Sequence, residues 1–85
     1  MPDLEIDARG LLCPLPVLRL ARALRRAPAG TVAVLLATDP AAVGDVEAFC
    51  RDGGHALLGT EREGKLYRFR VEKSEGLPPR TASEG

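Results

Sequence analysis

The sequence has few of the cysteine and histidine residues that metal and redox sites require. Its 85 residues include only two cysteines and one histidine. Cys13 and Cys50 form no C-x-x-C pair, so the sequence predicts neither a thioredoxin-like dithiol nor, without carboxylates or a partner subunit, a structural zinc site. A structural disulfide is not expected in a reducing compartment. What remains is chemistry at a single cysteine, or a thiol redox sensor if the two sulfur atoms approach each other.

The chain also lacks net charge and long apolar runs. Twelve basic and twelve acidic residues balance, so the whole molecule is not predicted to be a general binder of nucleic acid or membranes. No apolar run approaches the length that spans a bilayer. The acidic N-terminus, MPDLE, lacks the basic start and apolar stretch of a signal peptide. We therefore expect a cytoplasmic protein and, for a small charge-balanced domain, a monomer.

Apolar periodicity predicts four strands and two helices in the order β-α-β-α-β-β. The strands are expected at residues 3–8, 31–38, 55–60 and 66–73, and the helices at 14–27 and 40–52. Right-handed crossovers place both helices on one face of the sheet. The predicted fold is an α/β two-layer sandwich with a four-stranded mixed sheet, strands 1 and 2 being parallel. We assign residues 1–73 to this domain and 74–85 to a disordered tail.

The segment DARGLLCPLP places Cys13 between the first strand and the first helix. A residue before proline is extended, and prolines are tolerated in the first helical turn. Cys13 is therefore predicted to be the N-cap, with Pro14 and Pro16 as the first and third helical residues. The free N–H groups of Leu15 and Val17 would face the sulfur, and the helix dipole would lower the pKa of the thiol. This setting predicts a nucleophile; the alternative is a small, inert apolar residue.

Three other residues have local interpretations. Arg9 is either a cation that lowers the pKa of the neighbouring thiol or a loop residue paired with Asp7. Asp39 is predicted to cap the second helix, with a role in partner specificity as the alternative. Cys50 lies on the apolar face of that helix and is predicted to be buried packing.

A basic stripe follows the first helix. Arg19, Arg22 and Arg26 recur at helical spacing, with Arg25 beside them. The stripe is either a solvated helix face or a docking surface for an acidic partner. Direct nucleic-acid binding is not predicted, because no aromatic residues interleave with these arginines.

The pattern Asp7-x-x-Gly10-x-x-Cys13-Pro14-x-Pro16 after a short strand resembles the signature of the TusA/SirA-like sulfur-carrier family. The resemblance covers residues 4–73. Its weaker matches are Thr38-Asp39-Pro40, Asp45, Phe49-Cys50, Gly54-His55 and Tyr67-Arg68-Phe69.

The resemblance implies the same sandwich fold and a sulfurtransferase that carries sulfane sulfur as a persulfide on Cys13. The donor would be a cysteine desulfurase or a rhodanese-like protein. The acceptor would be a protein of tRNA 2-thiolation, molybdenum-cofactor synthesis or sulfur oxidation. Neither a metal nor an organic cofactor is implied.

Two groups of residues complete this interpretation. The residues that would shape the site are Asp7, Arg9, Gly10, Pro14 and Pro16. The residues that would dock partners are Arg19, Arg22, Arg26, Asp39 and Asp45. The alternative function is a non-catalytic adapter that regulates a partner through the arginine face of the first helix.

Overall fold

The computed structural model describes residues 3–74, and within them the predicted order of strands and helices is confirmed. The elements are β1 (Leu4–Ala8), α1 (Leu15–Arg25), β2 (Val32–Ala37), α2 (Ala42–Gly53), β3 (Ala56–Glu63) and β4 (Leu66–Glu72). No helix among the described residues has the length and apolar character needed to cross a bilayer. Apart from Ser74, the tail predicted for residues 74–85 lies outside the described residues.

The largest difference in element ends is at the β3–β4 hairpin. The sequence predicts a turn over residues 61–64, but Glu61, Arg62 and Glu63 still pair with β4, and the last pair is Glu63 with Leu66. Gly64 takes a positive φ of 62° in the remaining tight turn, a backbone conformation that glycine adopts without steric cost. Backbone pairing therefore extends the strand through residues whose side chains are all exposed.

The four strands form one mixed sheet in the order β1-β2-β4-β3. β1 pairs with β2 in parallel, and β4 pairs in antiparallel fashion with both β2 and β3. The predicted parallel pair and antiparallel hairpin are thus confirmed. The position of β4 between β2 and β3 gives the hairpin its contact with the central strand.

One core lies between the two helices and a single face of the sheet. Its members are Ala8, Leu20, Leu24, Ala33, Leu35, Ala37, Ala42, Val46, Cys50, Phe69 and Val71. Side chains two residues apart on a strand share a face, so the alternating members from β2 and β4 line one side of the sheet, as predicted. Full burial of a leucine such as Leu20 stabilises the fold by about 1.5–3 kcal/mol.

The parallel pairing of β1 and β2 positions the functional region. Ala8 and Ala37 are the last residues of these strands and lie opposite each other. The segments that follow, 9–14 and 38–41, therefore leave the sheet at the same edge, where α1 and α2 begin. Sites in open α/β sheets form at the carboxyl ends of the strands, and Cys13 lies in the first of these segments.

Candidate functional site

Two hydrogen bonds join the segment that contains Cys13 to the segment after β2. The Gly10 N–H donates to Thr38 Oγ1 at 2.9 Å, and the Cys13 N–H donates to Asp39 Oδ2 at 2.7 Å. Gly10 has a φ of 81°, and this left-handed conformation is the one that favours glycine. The main chain of residues 10–13 is therefore held at two points by the segment after β2, while the side chain of Cys13 is exposed.

The predicted start of α1 is wrong by one residue. Pro14, not Cys13, is the N-cap, with φ −101° and ψ 20°, so Leu15 and Pro16 are the first two helical residues. The Pro14 carbonyl accepts the hydrogen bond from Leu18 N at 3.1 Å, and the Cys13–Pro14 peptide bond is cis. The Leu15 N–H donates to the Leu12 carbonyl at 2.8 Å. An extra turn thus precedes the helix and removes one of the two donors expected at the sulfur.

Asp39 is not the N-cap of α2, which corrects the second capping prediction. The helix begins at Ala42, and its N-cap, Ala41, has no side-chain cap. Asp39 Oδ1 instead accepts the Ala41 N–H at 3.1 Å, in the turn before the helix, while its Oδ2 accepts the Cys13 N–H. These two main-chain donors hold the pKa of Asp39 below its ordinary value. The carboxylate connects the two segments at the sheet edge.

Asp45 contacts the sulfur itself. It lies in the first turn of α2, and its Oδ2 accepts a hydrogen bond from Cys13 Sγ at 2.6 Å. This hydrogen bond, followed by desolvation and the negative charges of Asp45 and Asp39, raises the pKa of the Cys13 thiol. The predicted lowering of that pKa is therefore wrong, because a neighbouring carboxylate favours the protonated thiol.

Arg9 is paired with Asp7, which resolves the two alternatives that the sequence left open. Its Nε and Nη2 donate to the two carboxylate oxygens of Asp7 at 2.9 Å each, and its main-chain N–H donates at 3.0 Å. These bonds lower the pKa of Asp7 to about 2, with the side-chain hydrogen bond as the largest cause. Arg19 Nη1 lies 3.5 Å from the Asp7 carbonyl oxygen. The Asp7–Arg9 pair restrains the main chain at the start of the segment that contains Cys13.

Three exposed leucines lie within five residues of Cys13 in the sequence, and no role in the site was predicted for their side chains. Leu12, Leu15 and Leu18 are 71%, 48% and 55% exposed. Leu15 and Leu18 line a hollow of about 260 Å³ together with Arg19 and Arg22. Leu15 and Leu18 are three residues apart on α1 and outside the stripe that packs on the core, and this spacing was the available signal.

The arginine stripe continues from this hollow along α1. Arg22, Arg25 and Arg26 are exposed, and no carboxylate oxygen of residues 3–74 lies within 4.0 Å of them. A surface hollow of about 750 Å³ is lined by Arg26 and residues 27–31 at the far end of α1, among other residues. We place the candidate site at Cys13 despite that larger hollow, because the exposed thiol and its polar contacts are there.

Cys50 and His55 lie in different surroundings from Cys13. Cys50 is 3% exposed within the core, as predicted, and burial raises the pKa of its thiol. His55 stacks on Phe49, and its Nδ1 accepts the Ser74 N–H at 3.0 Å. Among residues 3–74, no group of three or more His, Cys, Asp or Glu side chains is arranged to hold a metal ion.

Comparison with known proteins identifies the family of the chain. A family model described as sulfurtransferase TusA matches residues 4–73. The chain belongs to the TusA family. It is 42% identical over 72 residues to the sulfur carrier protein TusA of Allochromatium vinosum, covering 85% of this chain and 95% of that relative.

One further relative and one solved structure extend the comparison. A putative sulfur carrier protein of Neisseria meningitidis serogroup A is 45% identical over 67 residues, which cover 79% of this chain and 90% of the relative. The crystal structure of a SirA-like protein from Desulfitobacterium hafniense superposes with a TM-score of 0.73 at 25% identity, covering 85% of this chain and 99% of that one. The fold and the family are therefore shown together.

Proposed function

We propose that this chain is a sulfur carrier that receives sulfane sulfur as a persulfide on Cys13 and passes it to an acceptor protein. The observation that carries the proposal is the exposed, unpaired thiol of Cys13, held at the sheet edge by Asp39 and Asp45. Cys50 is buried in the core and offers no comparable access to a second protein. Membership of the TusA family supports sulfur as the transferred group.

The transfer is an exchange between a thiol and a persulfide. Cys13 loses its proton, and its sulfur attacks the terminal sulfur of the donor persulfide. The donor's sulfur–sulfur bond breaks, and the inner sulfur leaves with the electron pair and takes up one proton. The products are the Cys13 persulfide and the donor thiol. Repetition of this exchange with an acceptor thiol moves the sulfur onward, so no metal or organic cofactor is required on this chain.

The partners are proteins, because an exposed thiol on an open surface is accessible to the reactive sulfur of a second protein. A small-molecule substrate would instead require a pocket around the thiol. Leu12, Leu15 and Leu18 supply apolar contact next to the sulfur, and Arg19 and Arg22 border them. A partner with an apolar centre and acidic residues at its rim would complement this surface. Such a partner would bring its own persulfide or thiol to Cys13.

The proposed donor is a cysteine desulfurase or a rhodanese-like protein in the cytoplasm. The proposed acceptor is a protein of tRNA 2-thiolation, molybdenum-cofactor synthesis or sulfur oxidation. These assignments rest on the family resemblance of the Cys13 segment. The two free cysteines are compatible with a reducing compartment.

Sulfur loading is tested with a cysteine desulfurase and L-cysteine, followed by intact-mass measurement. The wild-type chain is expected to gain the mass of one sulfur atom, and Cys13→Ala is expected to gain none. Cys50→Ala is the matched control and should load as the wild type does. Loading of Cys13→Ala, or loss of loading in Cys50→Ala alone, would assign the sulfur to the other cysteine.

The same variant separates the carrier from a non-catalytic adapter. The adapter would retain its cellular function in Cys13→Ala, because it acts only through its surface. The carrier loses that function together with sulfur loading. A Cys13→Ala strain with normal function would therefore contradict the proposal.

Docking is tested by charge reversal on α1. Arg22→Glu is expected to weaken the desulfurase complex and slow sulfur loading, with the loss greatest at low ionic strength. Arg51→Glu is the matched control: Arg51 is an exposed arginine whose side chain is 73% accessible, in the last turn of α2. Equal effects of the two reversals would indicate a dependence on net charge instead of this surface.

A further inference from the structure

The two carboxylates near Cys13 have different tasks. Asp39 is occupied by main-chain donors, the N–H groups of Cys13 and Ala41. Asp45 is half-buried on α2 and accepts the thiol hydrogen bond, with 2.6 Å between Sγ and Oδ2. One carboxylate therefore fixes the main chain of the segment, and the other acts on the sulfur directly.

We propose that Asp45 is a positioning residue that restrains Cys13 between transfers, holding the sulfur as a thiol directed at α2 until a partner docks. The proposal rests on the proposed function and adds a control on the reactivity of the carrier cysteine. An exposed thiolate would react with any disulfide or oxidant that it meets. A thiol that keeps its proton and donates a hydrogen bond to a carboxylate is a weaker nucleophile than the thiolate, which is the reactive form.

The charged groups around the thiol support this restraint. Asp45 faces it from α2 and Asp39 from the segment before α2, and both charges raise the pKa of the Cys13 thiol. Arg9, the nearest basic residue in the sequence, is engaged by Asp7. The partial positive charge at the start of α1 remains, but the direct hydrogen bond to a full negative charge outweighs it.

Docking offers a route to release. The exposed Leu15, Leu18, Arg19 and Arg22 lie on α1, which begins two residues after Cys13, whereas Asp45 holds the sulfur from α2. A partner seated on the α1 surface presents its own reactive sulfur and competes with Asp45 for the position of Cys13 Sγ. The restraint is then lost only where the correct partner is bound.

The test is the pH dependence of Cys13 alkylation by iodoacetamide. It is measured in a Cys50→Ala background, so that Cys13 is the only thiol that can be alkylated. Asp45→Asn keeps the size of the side chain and removes its charge. We expect its rate profile to shift to lower pH and its alkylation at neutral pH to become severalfold faster. Glu47→Gln, which neutralises an exposed carboxylate on the same helix, is the matched control and should leave the profile unchanged.

The outcomes separate this inference from the proposed function. A profile in Asp45→Asn that stays in place, or shifts to higher pH, would overturn the restraint even if sulfur loading on Cys13 is confirmed. Slower alkylation at neutral pH would identify Asp45 as a base that assists the attack, which also contradicts restraint. Absence of sulfur loading in the wild type would refute the carrier proposal and leave the alkylation result for Asp45 intact. A loss of helical circular dichroism in Asp45→Asn would identify a structural role instead.

Discussion

Replacing Gly10 or Gly44 by alanine adds the same methyl group in two different backbone conformations. Gly10 lies in the segment that contains Cys13 and has a φ of 81°, whereas Gly44 lies in the first turn of α2 and has no positive φ. A Cβ added at either position meets no heavy atom within 4 Å. Steric conflict with neighbouring residues is therefore absent at both sites, and the backbone conformation decides how alanine changes the stability.

The expected free-energy changes have opposite signs. Alanine in the left-handed region costs about 1–2 kcal/mol, and the reduced freedom of the unfolded chain offsets about 0.4–1 kcal/mol of that cost. Gly10→Ala should thus lower the free energy of unfolding by about 1 kcal/mol. Gly44→Ala should raise it by about 0.4–1 kcal/mol, because alanine is the better helix former. For a domain of this size, 1 kcal/mol corresponds to a Tm change of about 4–8 °C.

Urea unfolding followed by far-UV circular dichroism measures both variants against the wild type. Their m-values should match the wild-type value, so that the midpoints report stability. Gly10→Asn provides a further comparison: asparagine enters the left-handed region more readily than alanine does, so it should destabilise less. The reasoning is refuted if Gly10→Ala is as stable as the wild type, or if both alanine variants shift the midpoint in the same direction.

Two further predictions concern Asp7 and Leu20. Arg9→Gln should raise the pKa of Asp7 from about 2 towards 3.8 in an NMR titration, because it removes the side-chain hydrogen bond that lowers it most; an unchanged midpoint would contradict the pairing. Since the folded-state pKa is depressed, the stabilisation from this pair is complete above the unfolded value of 3.8 and is lost as the pH falls through about 2. Leu20→Ala, at a fully buried position, should lower the free energy of unfolding by about 2–5 kcal/mol. Leu18→Ala, at an exposed position on the same helix, should change it by less than about 0.5 kcal/mol, and equal losses would contradict the assigned faces of α1.

Most of the fold was predictable because its signals are local. Alternation in β1 and β4, the helical spacing of apolar residues in α1 and α2, and the glycines and prolines between elements determine the type and order of the elements. The extension of β3 through Glu63 was not predictable in this way. Exposed polar residues on a hairpin carry no periodic signal, and pairing with β4 through the main chain decides where the strand ends.

The position of the candidate cysteine, Cys13, was predictable, but its surroundings were not. The prolines after Cys13 predicted a thiol near the start of α1, and the structure places it there, exposed, with a one-residue shift of the helix start. Cys13 contacts Asp39 and Asp45, which are separated from it by 26 and 32 positions in the sequence. Such contacts depend on the parallel pairing of β1 and β2, which brings the two segments to one edge. Sequence spacing alone gives no distance between them.

The reversed direction of the Cys13 pKa shows why that missing distance matters. The start of a helix contributes about half an elementary positive charge spread over several N–H groups, and here the Leu15 N–H is already bonded to Leu12. Asp45 places a full negative charge 2.6 Å from the same sulfur. The hydrogen bond from the thiol to Asp45 is the largest cause of the raised pKa, and the near, full charge of the carboxylate adds to it. A thiol near a helix start can therefore be held protonated by one carboxylate from a neighbouring helix. Under the proposed function, its reactivity would then depend on whether a docking partner separates the two groups.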